Sequence, residues 1–407
     1  MGARRPSYHR PVGPTVAVVF PGPPLDRRAW SGSPAGLAAG LGASGATVVP
    51  VRAELPFPLD LAVNAVVAAP RLPRALRRDV GETLRLARGI ARASPGAGAL
   101  QGVAASAKLR RLPQLDAFVQ IGCGYVIDST LPFVTFEDLT VAQAVRLGYP
   151  EWRLLGRRAV RTRLDRQRRV YERARACCLT TSFAAASVVE DYGIAPEKVH
   201  VVGIGRNHEP LPAVRDWRAP RFLFVGRHWE EKNGPAVLRA FAALRREVPE
   251  ARLDVVGDHP RLDLDGVVGH GPLPLEDRDA AHRLAGLYAA ATCFLLPSRF
   301  EAVGIVYAEA AAAGIASIGT TAGGSADIIG DAGRVVDPDD DAGLLAAMRE
   351  LADPATAEAL GARARLRSGL FTWEAVGARV LRALGLGADG TAAAAEPLSE
   401  PLERRAS

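Results

Sequence analysis

Short apolar or β-branched runs alternate with Ala-, Leu- and Arg-rich segments along nearly the whole chain, and this alternation constrains the fold most. Strand-sized runs separated by helix-sized segments are typical of βαβ units, whose strands lie parallel in one sheet. With 407 residues, the chain is long enough for two such domains. We therefore predict an α/β protein of two Rossmann-like domains that face each other across a cleft. The predicted strands are Thr15–Phe20, Ala46–Arg52, Ala117–Ile121, Phe133–Phe136, Ala176–Thr180, Val199–Val202, Arg221–Val225, Leu253–Val256, Cys293–Leu296, Ile315–Gly319 and Arg334–Val336.

The best candidate for an interdomain linker is the stretch from Arg206 to Pro220, which contains three prolines. A final helix is predicted to begin after Thr372, whose hydroxyl suits an N-cap, and to stop at Gly385. The tail beyond it has a composition typical of disorder. The predicted divisions are residues 1–212 for the N-terminal domain, 213–370 for the C-terminal domain, 371–384 for a helix that packs back on the N-terminal domain, and 385–407 for a disordered tail.

Composition excludes several classes of protein. An apolar content of 48% excludes a mostly disordered chain, and no apolar stretch reaches the roughly 18–20 residues of a membrane span. The basic N-terminus, Met1 to Pro14, leads into one short strand-like run and is unlike a signal peptide. Neither the four cysteines nor the seven histidines have the spacing of metal ligands, so we predict buried thiols and no metal site. We expect a cytoplasmic location.

Charge is distributed unevenly along the chain. The net charge is +7, but residues 1–217 carry 30 Lys and Arg against 17 Asp and Glu, and the remainder is acidic. The segment Arg153–Arg175 holds ten arginines in 23 residues and can form one or two amphipathic helices. It is either a solvated helix face or a surface that attracts anionic lipid or a phosphorylated acceptor. Peripheral association at the inner membrane face follows from the second alternative. Nucleic acid is not an expected partner, because aromatic residues are not interleaved there.

Two carboxylates, Glu301 and Glu309, are separated by seven residues that include Gly304. They follow the apolar run Cys293–Leu296, so the pattern predicts a strand, a loop carrying the first glutamate, and a helix that opens near Gly304. Carboxylates in these positions can accept hydrogen bonds from hydroxyls, and the free N–H groups between them suit a phosphate. A ligand that has both hydroxyls and phosphates is a sugar nucleotide.

A second candidate site follows the strand Arg221–Val225. Arg227 and Lys232 lie five residues apart in the loop before a helix predicted from about Pro235 to Leu244. At the carboxyl edge of a parallel sheet, these two cations can hold a diphosphate. The alternative is a pair of surface charges neutralised by neighbouring glutamates.

These blocks together resemble a known family. The chain resembles the retaining glycosyltransferases of family four, the group 1 type with an E-x7-E motif and the GT-B fold. The resemblance spans about residues 221 to 384 closely. It is carried by the segments Val225–Gly234, Pro297–Ala310, Gly314–Ile318, Ala322–Ile329 and Gly333–Pro338.

The resemblance implies roles for the residues of the second half. Glu309 would bind the ribose hydroxyls of the nucleotide, and Glu301 would act as a catalytic residue that contacts the hydroxyls of the donor sugar near the reacting carbon. The backbone N–H groups of Val303, Gly304 and Ile305 would meet the diphosphate, together with Arg227 and Lys232 as catalytic cations. The base would lie against backbone near Gly269 or Gly271, in a segment predicted to be a loop.

The first half resembles the family less closely. Ser31 and Gly32 lie in a Trp-Ser-Gly-Ser-Pro stretch that is similar to a donor-binding loop of one branch of the family, although it also suits a plain turn and helix cap. Many members place a histidine after a strand in the middle of this domain. The corresponding stretch has no histidine, and Asp138 or Glu137 would occupy its place, with Asp138 as the candidate catalytic residue.

The resemblance implies transfer of a sugar from a nucleoside diphosphate donor to an unknown acceptor, a glycan, glycolipid or small molecule, with retention of configuration. No cofactor and no metal ion would be required, because cations and helix amides neutralise the diphosphate. Two alternatives from other classes stay open. One is a non-catalytic protein that binds sugar nucleotides, and the other is an epimerase or phosphorylase-like enzyme on the same fold.

Overall fold

A computed structural model describes residues 13–54, 66, 86–87, 89–91, 93–213 and 215–387. The predicted basic N-terminus lies outside the described residues up to residue 12, and the predicted disordered tail lies outside them from residue 388 onward. The described chain divides into two compact units, each built on a six-stranded sheet. Unit 1 comprises the described residues within Met1–Leu179, Ala185–Val202 and Val376–Glu396, and unit 2 comprises Thr180–Ala184 and Gly203–Ala375.

Unit 1 contains six parallel strands in the order β2-β1-β3-β4-β5-β6. The central strands β1, β3 and β4 are almost wholly buried, as expected for a parallel sheet, whereas the edge strand β2 is largely exposed. The strands are β1 (Thr15–Phe20), β2 (Thr47–Arg52), β3 (Ala117–Ile121), β4 (Phe133–Glu137), β5 (Ala176–Leu179) and β6 (Val199–Val201). The helices are α1 (Ser33–Ala43), α2 (Pro95–Arg110), α3 (Val141–Arg146), α4 (Pro150–Arg153), α5 (Arg157–Arg173) and α6 (Ser182–Glu190), the first three residues of α6 falling in unit 2.

Unit 2 also contains six parallel strands, in the order β12-β11-β10-β7-β8-β9. Counted from the first strand of this unit, the order is that of the doubly wound dinucleotide-binding fold, and the order reverses between β7 and β10. Ligands of such sheets bind outside the carboxyl ends of the strands at this reversal. The strands are β7 (Arg221–Gly226), β8 (Arg252–Gly257), β9 (Val267–Gly271), β10 (Cys293–Leu295), β11 (Ala316–Thr320) and β12 (Gly333–Val336). The helices are α7 (Gly234–Arg245), α8 (Arg278–Ala290), α9 (Ile305–Ala313), α10 (Ser325–Ile329), α11 (Asp341–Ala352), α12 (Pro354–Arg367) and α13 (Trp373–Leu384), which passes into unit 1 at Val376.

All eleven predicted strands are present, with ends that differ by one residue at most. The prediction of a loop at Val267–Leu273 is wrong for its first five residues, because Val267–Gly271 form the edge strand β9. Two glycines in five residues hide the strand pattern, and a register irregularity at Val255 and Val256 accompanies its pairing with β8. The exact limits of the two domains stay a prediction.

The last helix begins as the sequence indicates. The Thr372 hydroxyl accepts a hydrogen bond from the Ala375 amide at 3.0 Å, and Gly385 follows the helix with a φ of +75°. From Val376 onward this helix is part of unit 1, where Gly377 lies directly against the backbone of Gly40. Among the described helices, none is long and apolar enough to cross a bilayer.

Candidate functional site

The loop after β7 positions Lys232. Asn233 adopts a left-handed conformation, with φ at +60°, just before α7 begins. Its side-chain amide donates a hydrogen bond to the Pro338 carbonyl at 2.7 Å, and the residue is 1% exposed. Trp229 lies folded under the loop against Phe224, with ring centroids 5.4 Å apart. The backbone on both sides of Lys232 is therefore fixed.

Lys232 and Glu301 form a partly buried ion pair. The Lys232 Nζ lies 2.6 Å from Glu301 Oε2, and the Ser298 hydroxyl donates to the same oxygen at 3.2 Å. The Lys232 side chain keeps 22% of its surface exposed and the Glu301 side chain 12%. The sheet order places these groups at the reversal point, because Lys232 follows β7 and Glu301 follows β10, two neighbouring strands.

The loop that follows β11 holds the backbone of Glu301. The Glu301 amide donates to the Ala322 carbonyl at 2.9 Å, and the Glu301 carbonyl accepts from the Gly324 amide at 2.9 Å. Gly323 makes this approach possible, because its φ is +124° and a Cβ at this position would lie 2.0 Å from the Glu301 carbonyl oxygen. The Ala322–Ile329 segment of the family resemblance thus supports Glu301 through its backbone.

Helix α9 opens next to Glu301. Gly304 precedes it with a φ of +76°, where a Cβ would collide with the Tyr307 ring at 2.4 Å. The N-cap residue is this glycine, so it provides no side-chain cap for the first amides of the helix. The first amides of a helix have no intrahelical acceptor, so the segment Val303–Ile305 presents N–H groups and the positive end of the helix dipole. Such an end suits an anion.

Glu309 lies one turn inside α9 and is 5% exposed. The Tyr288 hydroxyl donates a hydrogen bond to Glu309 Oε2 at 3.2 Å. The His208 Nε2 lies 3.3 Å from the same oxygen, at ion-pair distance but without the direction of a hydrogen bond. All polar contacts that Glu309 and Glu301 make with described residues use Oε2, so Oε1 of each carboxylate is left to accept from a ligand.

Arg227 is not brought into this cluster. Its side chain is 83% exposed, and its nearest acid is Asp258, 3.8 Å away. A loose exposed pair of this kind leaves the guanidinium free to swing towards a ligand, and it contributes little to stability. Of the two cations predicted to hold a diphosphate, Lys232 alone is fixed in place.

Gly271 ends the edge strand β9. Its amide donates to the His259 Nε2 at 3.1 Å, and the other ring nitrogen of His259 lies 2.8 Å from the Pro260 carbonyl. These contacts require a neutral His259 that carries its proton on Nδ1. Position Gly271 itself faces open space, since a Cβ there would meet no atom within 4 Å. The predicted base-binding backbone is therefore accessible and is supported by a histidine.

In unit 1, Ser31 and Gly32 lie in a one-turn helix, Ala29–Gly32, between β1 and α1. Trp30, Ser31 and Gly32 all have positive φ values, of 45°, 51° and 83°. The Trp30 ring packs edge-on against Phe20, with centroids 5.5 Å apart. Positive φ values at Trp30 and Ser31, which are not glycines, show that the backbone of this turn is strained. A role of Ser31 and Gly32 in donor binding stays a prediction.

Glu137 and Asp138 have different surroundings in the structure. Glu137 is 4% exposed and accepts hydrogen bonds from the Cys123 amide at 2.7 Å, from the Gln167 side chain and from the Tyr171 hydroxyl. Burial raises the pKa of Glu137, and these hydrogen bonds partly oppose the shift. Both of its oxygens are occupied inside unit 1. Asp138, which is half-buried, stays the candidate for the predicted catalytic role.

All four cysteines are described and are buried free thiols. Among the described residues, no group of three His, Cys, Asp or Glu side chains is arranged to hold a metal ion. The expectation that the reaction requires neither a metal ion nor a cofactor stays a prediction.

Four side chains of the site have no role predicted from the sequence: Ser298, Tyr288, His208 and His259. Ser298 could have been found, since it lies three residues before Glu301 in the same motif. Tyr288 and His208 had no local signal, because they lie 21 and 101 positions before the carboxylate that they contact. His259 was missed for the same reason.

Comparisons with known proteins give sequence matches over part of the chain. The family model described as glycosyl transferases group 1 matches residues 219–353. A glycogen synthase of Mycobacterium tuberculosis is 34% identical over 203 residues, which cover 46% of this chain and 49% of that protein. A D-inositol 3-phosphate glycosyltransferase of Nocardioides sp. is 30% identical over 249 residues, which cover 52% and 54%. The chain spans about half the length of the curated relatives that it matches.

The fold is shared over a longer stretch than the sequence. The sucrose-phosphate synthase from Thermosynechococcus elongatus aligns with a TM-score of 0.59 at 20% identity, over 89% of this chain and 96% of that chain. The predicted α/β fold of two Rossmann-like units is therefore confirmed. The chain has the GT-B fold, and its second unit contains a segment of the glycosyl transferases group 1 type at residues 219–353.

Proposed function

We propose that the protein is a glycosyltransferase that moves a sugar from a nucleoside diphosphate donor to an acceptor. The observation that carries the proposal is the cluster at the reversal point of unit 2. There the Lys232–Glu301 ion pair adjoins the uncapped start of α9, and the buried Glu309 lies one turn further along. The cluster offers a cation, helix amides and two carboxylates with a free oxygen, which match a diphosphate and hydroxyls.

In this proposal the diphosphate lies on the amides of Val303, Gly304 and Ile305. The Lys232 Nζ lies 2.6 Å from Glu301 Oε2. When the donor binds, the Lys232 ammonium turns towards the phosphate, and Glu301 accepts a hydrogen bond from a sugar hydroxyl. The leaving diphosphate gains charge in the transition state, so these preorganised donors act most strongly there. The exposed Arg227 joins them from solvent.

The remaining donor contacts follow from the same placement. The ribose hydroxyls donate to Glu309 Oε1, and the base lies against the backbone at Gly271. We also propose that the strained backbone of Ser31 and Gly32 contacts the donor. The Asp138 carboxylate accepts a hydrogen bond from the acceptor hydroxyl. The acceptor attacks the face from which the diphosphate departs, which gives retention of configuration, and the diphosphate itself takes up the acceptor proton. No metal ion is needed in this scheme.

The test begins with a donor screen. UDP, GDP and ADP, each free and with a sugar attached, are added to the protein, and the melting temperature is measured. We expect one nucleotide to raise it, because a ligand that binds only the folded state stabilises that state. Loss of the donor is then followed with a panel of glycan, glycolipid and small-molecule acceptors, with and without EDTA.

The outcomes separate the alternatives. Transfer in EDTA, with a product whose anomeric configuration matches the donor by NMR, supports the proposal in full. Inversion would overturn retention, and activity lost in EDTA and restored by a divalent ion would overturn metal independence. Binding without consumption of any donor would favour the non-catalytic alternative, and conversion of the donor without transfer would favour an epimerase.

We further propose that helix α5 associates with anionic membranes. Its buried face consists of Arg163, Gln167, Val170 and Tyr171, at helical spacing, while most of its other arginines are exposed. Exposed cations on one face attract anionic lipid, and salt screens the attraction.

The membrane proposal is tested by sedimentation with phosphatidylglycerol-containing liposomes at low and high salt. The triple variant Arg157→Gln, Arg158→Gln, Arg161→Gln should lose most of the low-salt binding. A control with equal loss of charge carries Arg278→Gln, Arg283→Gln and Arg363→Gln, all exposed in unit 2. Equal binding by both variants, or no binding by the unaltered protein, would show that α5 is a solvated helix face without a role in membrane association.

A further inference from the structure

Glu309 is held from one side only. His208 and Tyr288 approach the same oxygen, Oε2, at 3.3 Å and 3.2 Å. They come from different parts of unit 2, His208 from the segment before β7 and Tyr288 from α8. Because both meet Oε2, the orientation of the carboxylate is held, and no described residue makes a polar contact with Oε1.

The surroundings of His208 favour its charged form. Burial alone would lower the pKa of His208, but the contacts with Glu309 and Glu209 and their charges together outweigh burial, so the pKa is raised above its ordinary value. Glu209 acts in the same direction, although the guanidinium of Arg206 lies 2.8 Å from it and offsets part of its charge. Burial raises the pKa of Tyr288 strongly, so its hydroxyl stays a donor.

We propose that His208 is a positioning residue, which as an imidazolium fixes Glu309 so that Oε1 receives a ribose hydroxyl and makes nucleoside diphosphate binding depend on pH. The inference rests on the proposed ribose role of Glu309. His208 does not touch the ligand in this arrangement. It acts by compensating the charge of the buried carboxylate and by holding the plane of the carboxylate group, so that one oxygen stays available to the ligand.

The direction of the pH effect follows from the charge. Below the raised pKa of His208 the ion pair is present, and as the pH rises through that value the imidazolium loses its proton. The contact between Nε2 and Oε2 lacks the direction of a hydrogen bond, so the imidazolium acts on the carboxylate through its charge, which the neutral imidazole does not carry. We expect affinity to fall about three- to tenfold between pH 7 and pH 9. This range avoids the second phosphate ionisation of the ligand, near pH 6.

The experiment measures affinity by calorimetry for UDP, GDP or ADP, whichever binds, and for its 2′,3′-dideoxy form. The unaltered protein should prefer the ribose form by about tenfold or more at pH 7. His208→Gln should reduce that preference to about threefold or less and flatten the pH dependence. The control His282→Gln changes an exposed histidine on α8 and should keep both.

Two readouts keep the inference testable if His208→Gln unfolds, which a thermal melt will detect. The pH series on the unaltered protein needs no variant, and Tyr288→Phe removes the other donor while it keeps the ring. A flat pH profile, or a ribose preference unchanged in His208→Gln, overturns the role of His208 although nucleotide binding stands. If the unaltered protein binds none of the three nucleotides, the proposed function falls, and the inference falls with it.

Discussion

Both units bury a glutamate near the carboxyl ends of their strands, but the two carboxylates differ in how many of their oxygens contact neighbouring residues. In unit 1, Glu137 is 4% exposed, and in unit 2, Glu309 is 5% exposed, so burial does not distinguish them. Glu137 has both oxygens engaged by a backbone amide, a glutamine and a tyrosine. Glu309 meets its neighbours through one oxygen alone.

If the proposed roles hold, spare hydrogen-bonding capacity, more than burial, distinguishes a binding carboxylate from a structural one. A buried carboxylate has about four acceptor positions, and unpaired ones are costly unless a ligand or water fills them. Both oxygens of Glu137 accept hydrogen bonds from neighbouring residues, and one of these bonds fixes the loop after β3. Glu309 and Glu301 each keep an oxygen available at the reversal point of unit 2.

The largest expected effect tests whether Lys232, which is fixed in an ion pair, contributes more to catalysis than the exposed Arg227. Lys232→Ala should lower kcat/KM by about 10²–10³-fold, because it removes a preorganised charge at the leaving group. Arg227→Ala, at a site that is 83% exposed, should cost about tenfold. Steady-state kinetics on folded variants measure both. Equal losses would show that Arg227 changes its conformation when the donor binds. Near-normal activity in both variants would contradict the proposal that these two cations bind the diphosphate.

The next effect tests the two glutamates directly. Glu309→Gln should weaken nucleoside diphosphate binding about tenfold, because a charge-assisted bond to ribose is lost. Glu137→Gln should lower the free energy of unfolding by about 1–3 kcal/mol, because the new amide group faces donors already aimed at Glu137. Nucleotide affinity should be unchanged in Glu137→Gln.

Calorimetry and urea unfolding on both variants give the four values needed. Glu358→Gln, an exposed carboxylate on α12, is the control for the loss of one negative charge. Unchanged affinity in Glu309→Gln would remove the ribose role. A fall in affinity in Glu137→Gln that equals the fall in Glu309→Gln would break the distinction between the two carboxylates.

The smallest effect tests the backbone support of Glu301. Gly323→Ala places a Cβ 2.0 Å from the Glu301 carbonyl oxygen at a φ of +124° and should cost about 1–3 kcal/mol of stability. The matched change Gly286→Ala lies in α8, where a Cβ meets no atom within 4 Å, and should stabilise by up to about 1 kcal/mol. Denaturant unfolding compares the two, and equal effects would show that the loop after β11 yields easily.

The strands of both units could be predicted from the sequence because each is a compact apolar run with turn residues at its ends. The loops carrying Lys232 and Glu301 could be placed for the same reason. Strand β9 could not, since glycine and histidine interrupt its pattern. Tyr288 and His208 could not, because their contacts with Glu309 depend on how distant segments pack, which no local spacing records.

The loops of the unit 2 site are tied to one another through their backbones. The Arg299 amide donates to the Glu231 carbonyl, Asn233 holds the Pro338 carbonyl, and Gly324 holds Glu301. A chimaera that exchanges only one of these loops with a related protein would break bonds to the others. Any transplant of donor preference should therefore move residues 226–234, 297–304, 320–324 and 337–339 as one set.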